Sequence, residues 1–354
     1  MRKPERGRII RLKRHMAESG IESLLVTERE NVRYLTGFRG SAGIVLVASG
    51  RPCLITDFRY MIQARRETTG VAILIQKTDW TAALREVLVR SNVRSLWYDE
   101  SSLPIDTYDK LKKAGLKLKK GGGLVAKLRR QKDVAELARI RKAIRRAEQS
   151  FLELRRYIKP DAVEQELGLR LECLMREKGS RRTAFDTIVA SGKNGAMPHA
   201  SVSTRRIKAG DLVTFDFGAE ADGYFSDITR TVCVGKPSAK QRTIHGLVLK
   251  AQQAAIKAMY PGVPCKIVDD AARSVIQESG HGKHFGHATG HGVGLLVHEA
   301  PALSSHSNMT IEKGMVITVE PGVYIPGWGG VRIEDMVVVT DKGAKVLTTL
   351  PREL

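Results

Sequence analysis

Five side chains able to bind hard or borderline cations lie between positions 216 and 334, each in a short pattern of its own. Asp216 sits in Val213-Thr214-Phe215-Asp216-Phe217-Gly218 and Asp227 in Ser226-Asp227-Ile228-Thr229-Arg230-Thr231. His291 lies in Gly290-His291-Gly292-Val293-Gly294, Glu320 in Val319-Glu320-Pro321-Gly322, and Glu334 in Val331-Arg332-Ile333-Glu334-Asp335. Four carboxylates and one imidazole are too many for a structural zinc site, which prefers Cys and His. They suit two divalent cations that share bridging carboxylates and acidify a hydrolytic water.

Such a set needs rigid carriers. Residues 211–218 and 224–233 read as strands joined by the turn-forming stretch Glu220-Ala221-Asp222-Gly223. Pairing symmetric about the Ala221–Asp222 step sets Asp216 opposite Asp227, with Cβ atoms about 4.5–5.5 Å apart. Val213, Phe215 and Phe217 then point the other way, into a core. Two exposed hairpin aspartates are the plain alternative, but the apolar flanks argue for burial, and buried carboxylates this close repel unless cations lie between them. A second β-rich pair, 316–319 and 331–339, brackets a loop containing Pro321, Gly322, Pro326, Gly327, Gly329 and Gly330. Pairing symmetric about Gly327 places Glu320 opposite Glu334.

The run His287-Ala288-Thr289-Gly290-His291-Gly292-Val293-Gly294-Leu295-Leu296-Val297-His298-Glu299-Ala300-Pro301 resembles the signature of the prolidase and Xaa-Pro aminopeptidase (M24-type) metallopeptidases. Thr318-Val319-Glu320-Pro321-Gly322-Val323-Tyr324 and Val331-Arg332-Ile333-Glu334-Asp335 resemble it too. Asn31-Val32-Arg33-Tyr34-Leu35-Thr36-Gly37-Phe38-Arg39-Gly40-Ser41-Ala42-Gly43 and Thr56-Asp57-Phe58-Arg59-Tyr60 resemble the first domain of the same bacterial enzymes. One departure is Ala288, where the family usually has Gly; it puts the local backbone conformation in question, since Ala resists positive φ.

The resemblance implies roles. Asp216 would chelate one metal, Asp227 and Glu334 would bridge both, and His291 and Glu320 would complete the second. His199, in Met197-Pro198-His199-Ala200, together with His287 and His298 would bind substrate and stabilise the transition state. Glu320 would relay the proton of the attacking water to the leaving nitrogen, and Arg332 belongs to the same catalytic set. The cofactor implied is two divalent ions, Mn²⁺ by preference for a carboxylate-rich site, with Co²⁺ or Zn²⁺ as alternatives. His15, His245, His281, His284 and His306 match no motif and read as surface or supporting residues.

The substrates implied are peptides with proline at the second position, whose scissile bond is a tertiary amide without an N–H. Two registers are open. Dipeptidases of the family often carry Arg just after the His-Glu-x-Pro motif, and Ala302 stands there. The expectation is therefore an Xaa-Pro aminopeptidase, with Xaa-Pro dipeptidase (prolidase) as the alternative; Arg39, Arg59 or Arg332 could still meet a free carboxylate. A non-catalytic protein- or nucleic-acid-binding relative is the alternative from another class. The full ligand set argues against it, as it does against a metal-free creatinase-type amidinohydrolase.

The chain has 354 residues, ample for two domains. Strand-like runs at 24–26, 43–48, 53–56, 71–75 and 95–98 alternate with helical patterns near 8–19, 58–68, 80–91 and 104–114. This reads as an α/β N-terminal domain with a mixed sheet, residues 1–125 and creatinase-type, ending near Gly121-Gly122-Gly123. Residues 126–354 read as an α+β catalytic domain of the "pita-bread" kind. Its first helix starts on the capping-box pattern Asp133-Val134-Ala135-Glu136, and a second is expected to start on Asp161-Ala162-Val163-Glu164. No run of 18 apolar residues suggests a membrane span, Met1-Arg2-Lys3-Pro4-Glu5-Arg6-Gly7-Arg8 leads into no signal-peptide core, and the four cysteines form no CxxC. A cytoplasmic homodimer is expected. The net charge of +21 would suit a nucleic-acid partner, yet aromatics are scarce in the basic stretch 117–156, so such a partner is not expected.

Overall fold

The computed structural model describes residues 4–354 other than 78, 92, 94 and 101; Met1, Arg2 and Lys3 of the leader reading lie outside the described residues. Contacts divide the chain into two compact units, Met1–Arg129 and Arg130–Leu354.

The first unit is built on six strands: β1 (Leu24–Val26), β2 (Gly43–Val47), β3 (Cys53–Thr56), β4 (Ala72–Ile75), β5 (Ser95–Tyr98) and β6 (Lys117–Lys120). They form one mixed sheet in the order β4-β3-β2-β1-β5-β6. The antiparallel pairs are β1–β2 and β2–β3; the other three are parallel. Helices α1 (Pro4–Glu18), α2 (Arg29–Thr36), α3 (Met61–Glu67), α4 (Trp80–Arg90) and α5 (Ile105–Lys113) surround it. Leu25, Leu46, Ile55, Leu84, Leu88, Leu96 and Leu111 form its core, each such side chain contributing about 1.5–3 kcal/mol on burial.

Two elements here differ from the sequence expectation. β6 reads Lys-Leu-Lys-Lys and lacks an apolar run because it is the sheet edge, where charge discourages further pairing. Helix α2 has no side-chain cap at Glu28; its only clear signal is Gly37, which ends it at φ 83°.

Helix α6 (Leu124–Arg130) ends the first unit and leads into α7 (Val134–Leu154) and α8 (Glu164–Glu177) of the second. The α7 capping box is present in both directions: Asp133 accepts from Glu136 N at 2.9 Å, and Glu136 accepts from Asp133 N at 3.0 Å. The second helix starts within the expected stretch Asp161–Glu164, but not on Asp161. Asp161 adopts φ 68°, α8 starts behind Val163, and the Glu164 side chain turns into the interior instead.

Strands β7 (Ile188–Ser191), β8 (Leu212–Phe217) and, after the short β9 (Glu220–Ala221) and β10 (Tyr224–Phe225), β11 (Ile228–Cys233) form a sheet ordered β11-β8-β7. Helices α9 (Ala239–Ala258) and α10 (Cys265–Glu278) follow. The last strands are β12 (Gly290–Gly292), β13 (Glu299–Leu303), β14 (Val316–Val319), β15 (Gly322–Ile325), β16 (Gly329–Arg332), β17 (Asp335–Thr340) and β18 (Gly343–Val346). They give a five-stranded sheet, β13-β12-β14-β17-β18, and a β15–β16 ribbon.

Ile244, Val248, Ala251 and Ala255 of α9, and Val268, Ala272 and Ile276 of α10, recur at helical spacing and pack in one core with Ile317, Val319, Val337 and Val339. Two polar residues interrupt these apolar faces, and each reaches a strand near the site. Gln252 donates to Asp335 at 2.8 Å, and Asp269 accepts from Thr289 Oγ1 at 2.7 Å.

Candidate metal centre and active site

The β8–β11 pair turns its two faces to different neighbours. Val213, Phe215 and Phe217 are fully buried, and the Phe151 ring of α7 stacks on Phe217 at 5.1 Å and meets Phe215 edge-on at 5.4 Å. Alternation then sends Asp216 to the opposite face.

The register is not the expected one. Asp216 pairs with Thr229, not Asp227, because the turn residues are Asp222 and Gly223, at φ 50° and 83°. Two such left-handed residues make a tight hairpin turn and move the centre of symmetry by one residue, hence each partner by two. A shift of two preserves the face, so Asp227 lies diagonal to Asp216 on the same side. Gly218 beside them has no room for a side chain, since a Cβ would lie 2.1 Å from Ser226 O.

The second pairing is symmetric about Gly327, as expected. Val319 pairs with Asp335 in the five-stranded sheet and Gly322 with Arg332 in the ribbon. Glu320 and Glu334 occupy the break between these ladders, where the chain leaves one sheet for the other. Their amides donate to Thr289 O at 2.8 Å and Thr229 O at 3.1 Å, so each carboxylate stands where two sheets are tied together. His291, on β12, is held by its amide to Thr318 Oγ1 at 3.0 Å. Gly290 before it is required by close strand approach, because a Cβ there would lie 1.9 Å from Thr318 O.

All nine residues singled out in the sequence line one cavity of about 700 Å³: Asp216, Asp227, His291, Glu320 and Glu334, with His199, His287, His298 and Arg332. Donor atoms of Asp227, His291 and Glu334 that could hold a metal ion lie within 4.8 Å of one another. His291 Nε2 is 3.3 Å from Glu320 Oε1 and 3.5 Å from Asp227 Oδ2. Asp216 is held by Arg332 at 2.6 Å through Oδ2, while its buried Oδ1 has no hydrogen-bond partner. His298 stacks obliquely on His291 with centroids 4.3 Å apart. His15, His245, His281, His284 and His306 are absent from the lining. Arg39 and Arg59 belong to the first unit, where they pair with Glu67 and Asp57. Ala288 has no positive φ, so the missing glycine causes no backbone strain.

The electrostatics describe a buried site rich in carboxylates. Burial, reinforced by Asp216, pushes the Asp227 carboxyl well above its ordinary range. Burial and the neighbouring carboxylates do the same to Glu334. Burial raises Asp216, with Arg332 pulling the other way. Burial opposes charge on His291 and Glu320 too, but their mutual hydrogen bond and attraction outweigh it, holding His291 at about 9 and Glu320 at about 2. An unpartnered buried carboxylate oxygen, a compact Asp–His–Glu group and closely spaced buried carboxylates fit a site for divalent cations.

Several residues that the sequence reading left without a role hold this arrangement. Thr229 Oγ1 donates to Glu334 at 2.8 Å and Thr318 Oγ1 to Glu320 at 3.2 Å. Tyr324 OH joins His287 Nε2 at 2.8 Å to Arg332 Nη1 at 2.9 Å. Asp269 and Arg273 of α10 pair at 2.9 Å, and Arg273 donates to His287 O. Thr318, two residues before Glu320 on a strand, was legible as a same-face neighbour; Asp269 and Arg273 had no local signal.

The Metallopeptidase family M24 pattern matches residues 138–341, and that of the Creatinase/Prolidase N-terminal domain matches residues 8–131. The chain belongs to metallopeptidase family M24. It is a metallo-exopeptidase with the pita-bread catalytic fold behind a mixed-sheet N-terminal domain. The Xaa-Pro dipeptidase of Pyrococcus horikoshii is 38% identical over 96% of this chain and 96% of its own. The solved structure of an Xaa-Pro dipeptidase from Bacillus anthracis superposes with TM-score 0.95 at 40% identity, covering 99% of both chains. That of an X-Pro aminopeptidase from Thermotoga maritima gives TM-score 0.91 at 36% identity over 97% of this chain and 99% of the other. Among the described residues no helix is long and apolar enough to cross a membrane.

Proposed function

We propose that this protein is a dinuclear-metal Xaa-Pro dipeptidase, cytoplasmic and homodimeric. What supports it most is one cavity lined by all nine nominated residues in a chain alike end to end to the Pyrococcus and Bacillus dipeptidases. Dipeptidase thus replaces aminopeptidase as the first reading.

Asp216, Asp227, His291, Glu320 and Glu334 would hold two cations, Mn²⁺ being favoured by the four carboxylates. When bound, they supply Lewis acidity at the scissile carbonyl and lower the pKa of water. Glu320 takes the proton of the attacking water and hands it to the proline nitrogen, which leaves as an amine. His199 and His298 line the cavity and are exposed, and their ring nitrogens would meet the substrate carboxylate and the developing oxyanion. His287 is fixed at both nitrogens, by Ala288 O and Tyr324 OH at 2.8 Å each, and burial lowers its pKa. A neutral imidazole so fixed orients substrate. Arg332 holds Asp216 in place.

An aminopeptidase register is the second reading. It is favoured by Ala302, which sits across from His291 on β13 and is exposed, leaving that side open, and by the likeness to the Thermotoga enzyme. The ratio of kcat/KM for Xaa-Pro dipeptides to that for Xaa-Pro-Yaa tripeptides separates the two. A ratio well above one supports the dipeptidase, and preferred cleavage of tripeptides overturns it.

A further inference from the structure

The segment between β7 and β8 carries His199 to the cavity wall together with Pro198, Ser201 and Val202. Its one regular element is a 3₁₀ turn, Gly192–Ala196, so something else must fix it. That something is Glu164, the first residue of α8. Helix α8 has no side-chain cap, and its first amides are met by carbonyls of this segment: Glu164 N by Arg205 O at 3.1 Å and Gln165 N by Ser203 O at 3.0 Å. The Glu164 side chain, 0% exposed, binds both limbs. Oε1 accepts from Ser191 N and Ser191 Oγ, each at 2.6 Å; Oε2 accepts from Asn194 Nδ2 at 3.0 Å and Ser203 Oγ at 2.5 Å. The apex is held separately, by Arg332 Nη1 to Pro198 O at 3.2 Å.

A buried carboxylate is tolerated only when its lone pairs are used, and here its partners lie in this loop or at the end of β7 that enters it. We propose that Glu164 is a positioning residue for the peptidase reaction: by tying Ser191 and Asn194 to Ser203 it closes the loop and sets where His199 stands in the cavity. Glu164 touches neither substrate nor any proposed metal ligand, so its effect runs through the loop. The proposal rests on the role given to His199 above. Glutamine keeps the size of the side chain but replaces one acceptor oxygen with a donor NH₂, which meets the donors of one limb and releases it.

The test is steady-state kinetics on an Xaa-Pro dipeptide at saturating Mn²⁺ for wild type, E164Q, S203A, H199A and E164Q/H199A, with bound metal and thermal midpoint measured for each. Displacing a positioned group by about an ångström costs up to about 10²-fold. E164Q should therefore lower kcat by roughly 10- to 100-fold, with KM changed by less than about threefold and metal content unchanged. S203A should move kcat in the same direction by a few-fold and carries the test if E164Q does not fold. In the H199A background E164Q should add less than about twofold, the signature of two residues acting through one another. E164Q (or, in its place, S203A) at the wild-type rate overturns the proposal. So does a loss that multiplies fully with H199A, or one that tracks lost metal. If H199A is slow and E164Q is not, only the role of Glu164 falls; if H199A itself matches wild type, the role of His199 falls and this proposal with it.

Discussion

Arg332 and Asp216 form a 2.6 Å ion pair across the cavity wall, although one lies on the β15–β16 ribbon and the other on β8. The remaining Arg332 donors are also used: Nε on Thr229 Oγ1 at 3.1 Å, and Nη1 on Tyr324 OH and Pro198 O. The guanidinium thus locks the first carboxylate of the site, the tyrosine that holds His287 and the His199 loop at once. Replacing Arg332 by Met should destabilise the metal-free protein by about 3–5 kcal/mol, the usual cost of removing one partner of a buried pair. Arg332→Lys keeps the charge but not the planar fork, and kcat should fall at least about tenfold. Urea unfolding of the chelated protein reads the first effect; an unchanged midpoint would show that the pair does not fix Asp216.

Asp227→Asn should be far more damaging than His306→Ala. Asp227 is 4% exposed and sits 3.5 Å from His291, whereas His306 is exposed and outside the cavity. A fall of at least about 10²-fold is expected for the first, on the scale of losing one main electrostatic element, and none beyond about twofold for the second. Comparable rates in both variants would mean that the ligand set is wrong.

Metal loading should release protons. His291 at about 9 is protonated at pH 7.5, and Asp227 and Glu334 are pushed well above ordinary carboxylates, whereas ligation needs all three deprotonated. Apparent Mn²⁺ affinity should therefore rise with pH up to about 9. The three raised groups share one sign for stability, and Glu320, held at about 2, has the opposite one. The two raised carboxyls bind more protons folded than unfolded, so they contribute stability to the metal-free protein at low pH that is lost as pH rises through their folded values. Calorimetric Mn²⁺ titrations in two buffers of different ionisation enthalpy count the protons. A count of zero at pH 7.5 would contradict this account of the site.

Much of this was readable in the sequence where the carrier was a regular strand. The Gly327-centred pairing follows from two β-rich runs, and the five proposed ligands each sit in a local motif. The turn pair is Asp222-Gly223, one residue beyond the centre that composition suggests, because only the φ values, and not the residue types of 220–223, single it out. The slip left the face unchanged, so both aspartates still line the cavity. Helix α2 and strand β6 were missed because one lacks a start signal and the other is a charged edge. The Arg332–Asp216 pair and the Glu164 clasp join residues 116 and up to 39 positions apart. Contacts of that kind leave no spacing pattern in a single chain.

Substrate register should respond to position 302. Ala302 is exposed and paired with His291, so an arginine there would stand at the rim on the His291 side. Ala302→Arg should shift kcat/KM towards Xaa-Pro dipeptides over Xaa-Pro-Yaa tripeptides by about 1–3 kcal/mol, the value of one charge-assisted hydrogen bond. No change in that ratio would place the carboxylate-binding end of the cavity elsewhere.

The most direct test of the central claim is to strip the protein with a chelator and titrate Mn²⁺ back while following hydrolysis of an Xaa-Pro dipeptide and measuring bound metal. Activity should be lost on stripping, return with added Mn²⁺, and level off at about two ions per chain, the occupancy of a two-metal site. Full turnover by protein in which no metal can be detected would contradict it.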